Sequence, residues 1–355
     1  MQESQLLEMI TRLSHEFGTI DFVRGGGGNT SVKDEKTLWV KPSGTTLAGL
    51  APESFVALDR SRIADLYEIQ PPEDASQREA LVKGVMEKAL VPGSSGRASV
   101  EAPLHDSLSA RLVVHTHPAV VNGMTCAKEG ARTAAELFPE ALWLDYIDPG
   151  YTLCMAVRKE IQQYEKQNGR QPSILFLKNH GVFVAADSPE EIRRLYQNIV
   201  DTLTQQYQQA GISMQLEIAP PPVAVEQTQQ QIRTAFGDES LAVASSGTFP
   251  VANGPVSPDH IVYAKSYPYT QELSAAGIKQ YEQQYGYKPL IIVCPDSVHA
   301  VGPSQKKADL ALELAQDGAL VIQFTKAFGG INFMTDNARL FIENWEVESY
   351  RSRQI

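Results

Sequence analysis

The stretch Ala110–Pro118, Ala-Arg-Leu-Val-Val-His-Thr-His-Pro, constrains this chain more than any other. Its apolar run Leu112-Val113-Val114 leads directly into His115-Thr116-His117. In a strand, successive side chains alternate faces, so His115 and His117 project together while Thr116 points away. Two imidazoles at a strand end can be structural residues with ordinary hydrogen bonds, or half of a metal site. The choice depends on what else the chain supplies.

A third imidazole is available in Lys178-Asn179-His180-Gly181, a polar turn between the apolar segments Ile174–Leu177 and Val182–Ala185. Three imidazoles with one open position form the arrangement of a catalytic zinc centre. Nitrogen donors without thiolates suit Zn²⁺, or Co²⁺ or Mn²⁺ as neighbours. His105 follows Glu101 on an expected helix and competes as a ligand, with a supporting or packing role favoured. His15, His260 and His299 stand in no motif and read as structural or solvent-exposed.

Composition excludes several classes. The net charge of −11 over 355 residues argues against nucleic acid or an anionic membrane as the main partner. The three cysteines, Cys126, Cys154 and Cys294, are too scattered for a disulfide framework or a thiolate zinc site. No run approaches the ~18 apolar residues of a membrane span. The start, Met1-Gln-Glu-Ser-Gln, lacks the apolar core of a signal peptide. A cytoplasmic protein is expected.

Leu6, Leu7, Ile10, Leu13 and Phe17 recur at helical spacing and predict an opening amphipathic helix. Strands are expected at Thr30–Lys33, Thr37–Lys41, Ser54–Leu58 and Ala141–Ile147, and helices at Ser76–Leu90 and Thr152–Gln167. Ser188-Pro-Glu-Glu191 reads as a helix start, with serine as cap and proline in the first turn, for a helix running to about Ala210. Pro220-Pro-Pro222 and the glutamine-rich segment after it mark a domain boundary, giving domains 1–222 and 223–355. The second alternates strand-like and helix-like segments: Ile261–Ala264, Gln271–Tyr285, Leu290–Cys294, Ser304–Gln316 and Asp336–Glu348. Ile174–Glu191 and Ile291–Ala308 share a pattern of strand, polar turn, strand and serine-capped helix. That pattern makes the second domain a candidate degenerate partial repeat of the first, without its metal ligands.

Gly25-Gly-Gly-Gly-Asn29-Thr-Ser31 is either a flexible connector or an anion nest offering backbone N–H groups and short polar side chains. It has neither the strand–helix context of a dinucleotide fingerprint nor the lysine of a P-loop. Ser43, Gly44 and Ser99 would add donors. Glu101, just before an expected helix, is either a partner of that helix's N-terminal dipole or a carboxylate beside the metal that moves a proton.

Taken together and in order, Gly-Gly-Asn29-Thr-Ser, Pro42-Ser43-Gly44, Ser99-x-Glu101 with His105, His115-x-His117 and Asn179-His180-Gly181 resemble the class II aldolase/adducin family. The resemblance covers about Leu6 to Ala210. It implies an α/β fold of the α+β type: a central, mainly antiparallel sheet flanked by helices, joined here to a smaller C-terminal α/β domain. It implies zinc on His115, His117 and His180, Glu101 as catalytic carboxylate, and Gly28, Asn29, Ser43, Gly44 and Ser99 around a substrate phosphate. It further implies a homo-oligomer, most often a tetramer with active sites between subunits.

Gly254-Pro-Val-Ser-Pro-Asp-His260 and Asn344-Trp-Glu-Val-Glu348 resemble the region after the aldolase part of bifunctional rhamnulose-1-phosphate aldolase/lactaldehyde dehydrogenases. The chain ends at Ile355 before such a dehydrogenase, so no nicotinamide cofactor is expected. There are two departures from the family pattern. Val100 stands where a second phosphate-contacting serine is common, and Glu101 to His115 is a shorter spacing than in the fuculose enzyme. The acid tyrosine that some relatives take from a neighbouring subunit has no counterpart that can be assigned. The implied activity is zinc-dependent cleavage of a ketose 1-phosphate, of the rhamnulose or fuculose type, to dihydroxyacetone phosphate and an aldehyde. Epimerisation or dehydration on the same site, and a non-catalytic adducin-like module, are the alternatives.

Overall fold

Residue types along the chain explain the layers. Buried β-branched and aromatic residues form seven strands: β1 (Asn29–Lys33), β2 (Thr37–Val40), β3 (Val56–Asp59), β4 (Leu112–Thr116), β5 (Leu142–Leu144), β6 (Ile174–Leu177) and β7 (Gly181–Ala186). They hydrogen-bond in the order β3-β2-β1-β4-β7-β6-β5. Every neighbouring pair is antiparallel except β5 with β6. The expected mainly antiparallel sheet is therefore present. The computed structural model describes residues 1–72, 74–223 and 225–345.

Register decides which residues share a face. Asn29 lies opposite His115, and His115 opposite Phe183, so these three side chains stand in a row across β1, β4 and β7. Ser31, Val113 and Ala185 form the next row on that face. The helices Ala102–Ser107 and Tyr151–Asn168 cover it, with Leu104, Leu108, Leu153, Val157 and Ile161 closing the core on Val113, Leu175, Leu177 and Phe183. The opposite face carries Thr30 and Thr116. Ser14, on the opening helix Glu3–Glu16, meets Thr30 at 2.7 Å, and Tyr196, on the helix Pro189–Gln209, meets Thr116 at 2.9 Å. A one-residue slip of β4 would exchange His115 for the apolar set, so burial on both faces holds the register.

By contacts, one unit comprises Met1–Val121 and Ala131–Thr202; the other comprises Asn122–Gly130 and the described residues from Leu203. Pro220–Pro222 lies within the second. That unit has a three-stranded sheet of β8 (Ala242–Gly247), β9 (Ile291–Val293) and β10 (Ser297–Gly302), in the antiparallel order β8-β10-β9. Tyr269 adds a parallel bridge to Ile292 on the far side of β9. The core under this sheet joins Val243, Ile292 and Val301 to Ile232 and Phe236 of the helix Val225–Phe236, and to Ile278 and Tyr281 of the helix Ala275–Tyr285.

Three elements depart from expectation. Ile261–Ala264 is helical, part of Pro258–Ala264, with Ser257 and Pro258 opening the helix. An apolar run of four residues cannot distinguish strand from helix, whereas the Ser-Pro start does. β8 had no sequence signal, because Ala-Val-Ala-Ser-Ser-Gly lacks the bulky alternation of a typical strand. The helix expected at Ser304–Gln316 continues to Thr325, through Gly318, whose hydrogen faces the His260 ring at a point where a Cβ would lie 3.0 Å from it. The last helix spans Asp336–Asn344; Glu346–Glu348, expected to extend it, lie outside the described residues. Among the described residues no helix is long and apolar enough to cross a membrane.

Candidate metal centre

His115 is the next-to-last residue of β4, a strand buried throughout, and is fully enclosed. Its Nδ1 sits 2.9 Å from the Val182 carbonyl, which only accepts, so Nδ1 carries the proton and Nε2 presents its lone pair. Phe183 lies flat against the ring, with centroids 3.8 Å apart. His117 follows one residue beyond the strand, anchored by its N–H to the Phe22 carbonyl at 2.9 Å. His180 occupies the β6–β7 turn, after Asn179, which adopts a left-handed φ of 54°. Gly181 closes that turn because a Cβ there would lie 2.4 Å from the Thr116 carbonyl and 2.7 Å from the His117 ring.

Ligand atoms of the three histidines lie within 4.8 Å of one another. Tetrahedral nitrogens at the usual zinc distance are about 3.3 Å apart, so small ring rotations would adapt the set to one ion. The nitrogens of His115 and His117 already approach to 2.9 Å. Burial, with the other two imidazoles nearby, pushes the His115 pKa well below its ordinary value, so the ring is neutral and ready to ligate at neutral pH. The donor set fits a divalent ion of zinc type.

Glu101 caps the helix Ala102–Ser107 and faces the histidines: Oε2 is 3.6 Å from His115 Nε2, and Oε1 is 3.7 Å from His180 Nε2. Glu101 thus stands both at a helix N-terminus, without a side-chain cap bond, and beside the triad. Asn29 Nδ2 donates to Glu101 Oε2 at 2.5 Å and to Ser99 Oγ at 3.2 Å. His105 does not join the histidine triad. It is buried behind Asn29, bonded through Nε2 to Asn29 Oδ1 and through Nδ1 to Ser31 Oγ at 2.7 Å.

Of the other expected residues, Gly28 adjoins His115, and Ser99 accepts from Asn29. Gly28 has φ 65°, and a Cβ on it would come within 2.6 Å of the His115 carbonyl, so the glycine loop is held against β4. Segments 41–43 and 97–99 pair antiparallel about Pro42 and Ala98, which sets Ser43 opposite Arg97 and Ser99 opposite Lys41: Ser43 N donates to Arg97 O at 2.7 Å, and Ser99 N donates to Lys41 O at 3.2 Å. Gly44, in the same turn, has φ 83°. Lys41, a buried lysine directly after β2 with no role expected from the sequence, donates from Nζ to the Gly26 carbonyl at 3.4 Å. A lysine directly before Pro-Ser-Gly, beside a glycine run, was the available signal.

Two solved structures are similar to parts of this chain. The N-terminal class II aldolase domain of a conserved protein from Thermoplasma acidophilum is 25% identical, covers 56% of this chain and 92% of its own, and gives a TM-score of 0.48. The L-fuculose-1-phosphate aldolase of Thermus thermophilus is 15% identical, covers 59% of this chain and 97% of its own, and gives a TM-score of 0.40. A curated relative from Bacillus subtilis (strain 168), described as the uncharacterized oxidoreductase YuxG, is 23% identical over 388 residues. The alignment takes in 92% of this chain and 55% of that protein, so the chain spans about half the length of this relative. The model of the class II aldolase and adducin N-terminal domain matches residues 8–207, more than half of the 355-residue chain and a span that includes every residue converging on the site. The chain belongs to the class II aldolase and adducin family.

Proposed function

We propose that the protein is a metal-dependent aldolase that cleaves a ketose 1-phosphate to dihydroxyacetone phosphate and an aldehyde such as lactaldehyde. The observation carrying this reading is the triad His115, His117 and His180, its first member fully buried, with one carboxylate, Glu101, within 3.7 Å of two of its members. A divalent ion on the triad, zinc in this reading, supplies Lewis acidity for the charge that develops as the carbon–carbon bond breaks. Glu101 moves the proton. Its Oε2 is held by Asn29, and Oε1, on the His180 side, returns a proton to the substrate carbon, or removes it in the synthetic direction.

Phosphate binding falls to Ser43, Gly44 and Ser99, on and beside the paired segments 41–43 and 97–99, and to the loop at Gly28, with Lys41 nearby. Asn29 belongs to the same pocket, but its amide is already shared among Glu101, Ser99 and His105, so its backbone rather than its side chain faces the anion. Binding energy at the phosphate then orients the reacting carbon. The reading carries with it a cytoplasmic homotetramer, which analytical ultracentrifugation of the purified protein would check.

In the same reading, the region 223–355 is a partial copy of the first domain that has lost the metal site. β8-β10-β9, with the parallel bridge at Tyr269, repeats the order β4-β7-β6-β5. Pairing of Ser245 with His299 matches that of His115 with Phe183. Counted from there, Ser245, Gly247 and Asp296 stand where His115, His117 and His180 stand in the first. A side chain at Gly247 is excluded, since its Cβ would fall 1.6 Å from the Ala219 carbonyl. One ion per chain is expected, not two.

The test is a panel of ketose 1-phosphates with the zinc-loaded protein, reading dihydroxyacetone phosphate release through a coupled reductase. Release that disappears on chelation and returns with zinc supports the aldolase. Conversion of a sugar phosphate without that product identifies an epimerase or dehydratase instead. A protein that takes up no stoichiometric metal is a binding module.

A further inference from the structure

The Asn29 amide has two chemically different ends, and its neighbours determine which points where. A carboxylate only accepts, so the end 2.5 Å from Glu101 Oε2 must be Nδ2, and Oδ1 must face His105. His105 Nε2 therefore carries the ring proton and donates it to Oδ1. Nδ1 is then an acceptor, and Ser31 Oγ, at 2.7 Å, donates to it. The result is a one-way chain of hydrogen bonds, Ser31 to His105 to Asn29 to Glu101, that ends on a carboxylate oxygen.

The chain is enclosed. Ser31 and His105 have no exposed surface, Asn29 retains 5% and Glu101 8%. In such surroundings each bond is stronger than in water, and an unmet polar group is costly. Burial, with Lys33 nearby, holds the His105 pKa well below its ordinary value and keeps the ring neutral, as the directional chain requires. The edge of the His105 ring packs against Phe183, with centroids 5.4 Å apart, so the same aromatic ring braces His105 and His115.

We propose that Ser31 and His105 are positioning residues that fix the Asn29 amide and, through it, the rotamer of Glu101, so that Oε2 is tethered and Oε1 is presented to the substrate. Without the chain, the Asn29 amide is free to flip, Oδ1 would oppose the carboxylate, and Glu101 would lose its charge-assisted bond. The inference rests on Glu101 being the proton-transfer group, but its physical core, control of the carboxylate by a buried relay, can be measured without any reaction.

The test compares wild type with His105→Phe, which keeps the packing on Phe183 and removes the donor, and with His105→Gln, whose amide can donate from near the Nε2 position. In metal-free protein carrying ¹³C-labelled glutamate, the Glu101 carboxyl resonance, assigned by its loss in Glu101→Gln, is followed against pH. The expected result is an upward move of the Glu101 titration in His105→Phe and its return toward wild type in His105→Gln. In the metal-loaded protein, His105→Phe should lower kcat about tenfold, a typical effect of removing an outer-sphere partner, with KM and metal stoichiometry little changed. An unchanged Glu101 titration in folded His105→Phe would overturn the proposal, as would a Gln variant as impaired as the Phe variant. If no ketose phosphate is cleaved, the aldolase reading fails while the carboxyl titration still decides the positioning role.

Discussion

Phe183 lies against His115 with ring centroids 3.8 Å apart and planes 10° from parallel. The two residues are direct cross-strand partners of β7 and β4, so the sheet register itself sets the plane of a prospective metal ligand. The Val182 carbonyl fixes the rotation of that ring within the plane.

Phe183→Leu therefore tests support of the ligand separately from the fold. The substitution retains most of the apolar volume and should cost about 1–2 kcal/mol of stability, against the 3–5 kcal/mol typical of Phe→Ala in a core. Zinc affinity, measured by competition with a chromogenic chelator, should fall about tenfold because His115 gains rotational freedom. Unchanged affinity would show that Val182 alone orients the ring.

Glu101→Gln keeps shape and burial while removing the carboxylate. Turnover should fall by about 10²–10⁴-fold, the range assigned to a positioned general acid or base. Zinc content, read by mass spectrometry of the dialysed protein, should stay at wild-type level. Activity equal to wild type would remove Glu101 from the chemistry.

Gly181→Ala places a methyl group 2.4 Å from the Thr116 carbonyl and 2.7 Å from the His117 ring, both of which are anchored. The turn must retreat and carry His180 with it. Near-complete loss of stoichiometric zinc is expected, while far-ultraviolet dichroism stays close to wild type. Full zinc binding in this variant would mean that the turn adapts without displacing His180.

Lys33 sits behind the site with its Nζ donating to the His105 and Leu108 carbonyls, the open end of the helix Ala102–Ser107. Burial lowers its pKa from 10.5 to about 7. Between those values the unfolded chain binds more protons than the folded one, so this lysine's contribution to stability grows as pH rises and is lost as pH falls through about 7. Lys33→Met strands two carbonyls, at about 1–3 kcal/mol each. In urea denaturation its deficit relative to wild type should be larger at pH 9 than at pH 6. A deficit that grows toward acid would contradict a neutral, buried lysine.

Much of the site was legible in the residues. Period-two alternation put His115 and His117 on one side of a strand, and the Asn-His-Gly turn supplied the third imidazole. The joint order of the five motifs carried the family. Less was legible where the signal was short or weak. Ile261–Ala264 was too brief to reveal its period, and β8 is built from small residues. Lys41 and the partners of His105, for which only a supporting or packing role was expected, were not legible because each acquires its meaning from a neighbour far away in sequence.

Local chemistry thus determined most strands of the seven-stranded sheet, which of their residues share a face, and that three imidazoles and a carboxylate were available at turns and element ends. These properties depend on side-chain alternation and backbone preference within a few residues. Only the tertiary structure decided that Asn29, 72 positions before Glu101, holds that carboxylate, and that His105 stands behind the amide rather than among the ligands. Both outcomes follow from the register of β1 against β4 and from the seating of one short helix on that face. The many weak contacts of a packed core set such a register, and no single stretch of sequence contains it.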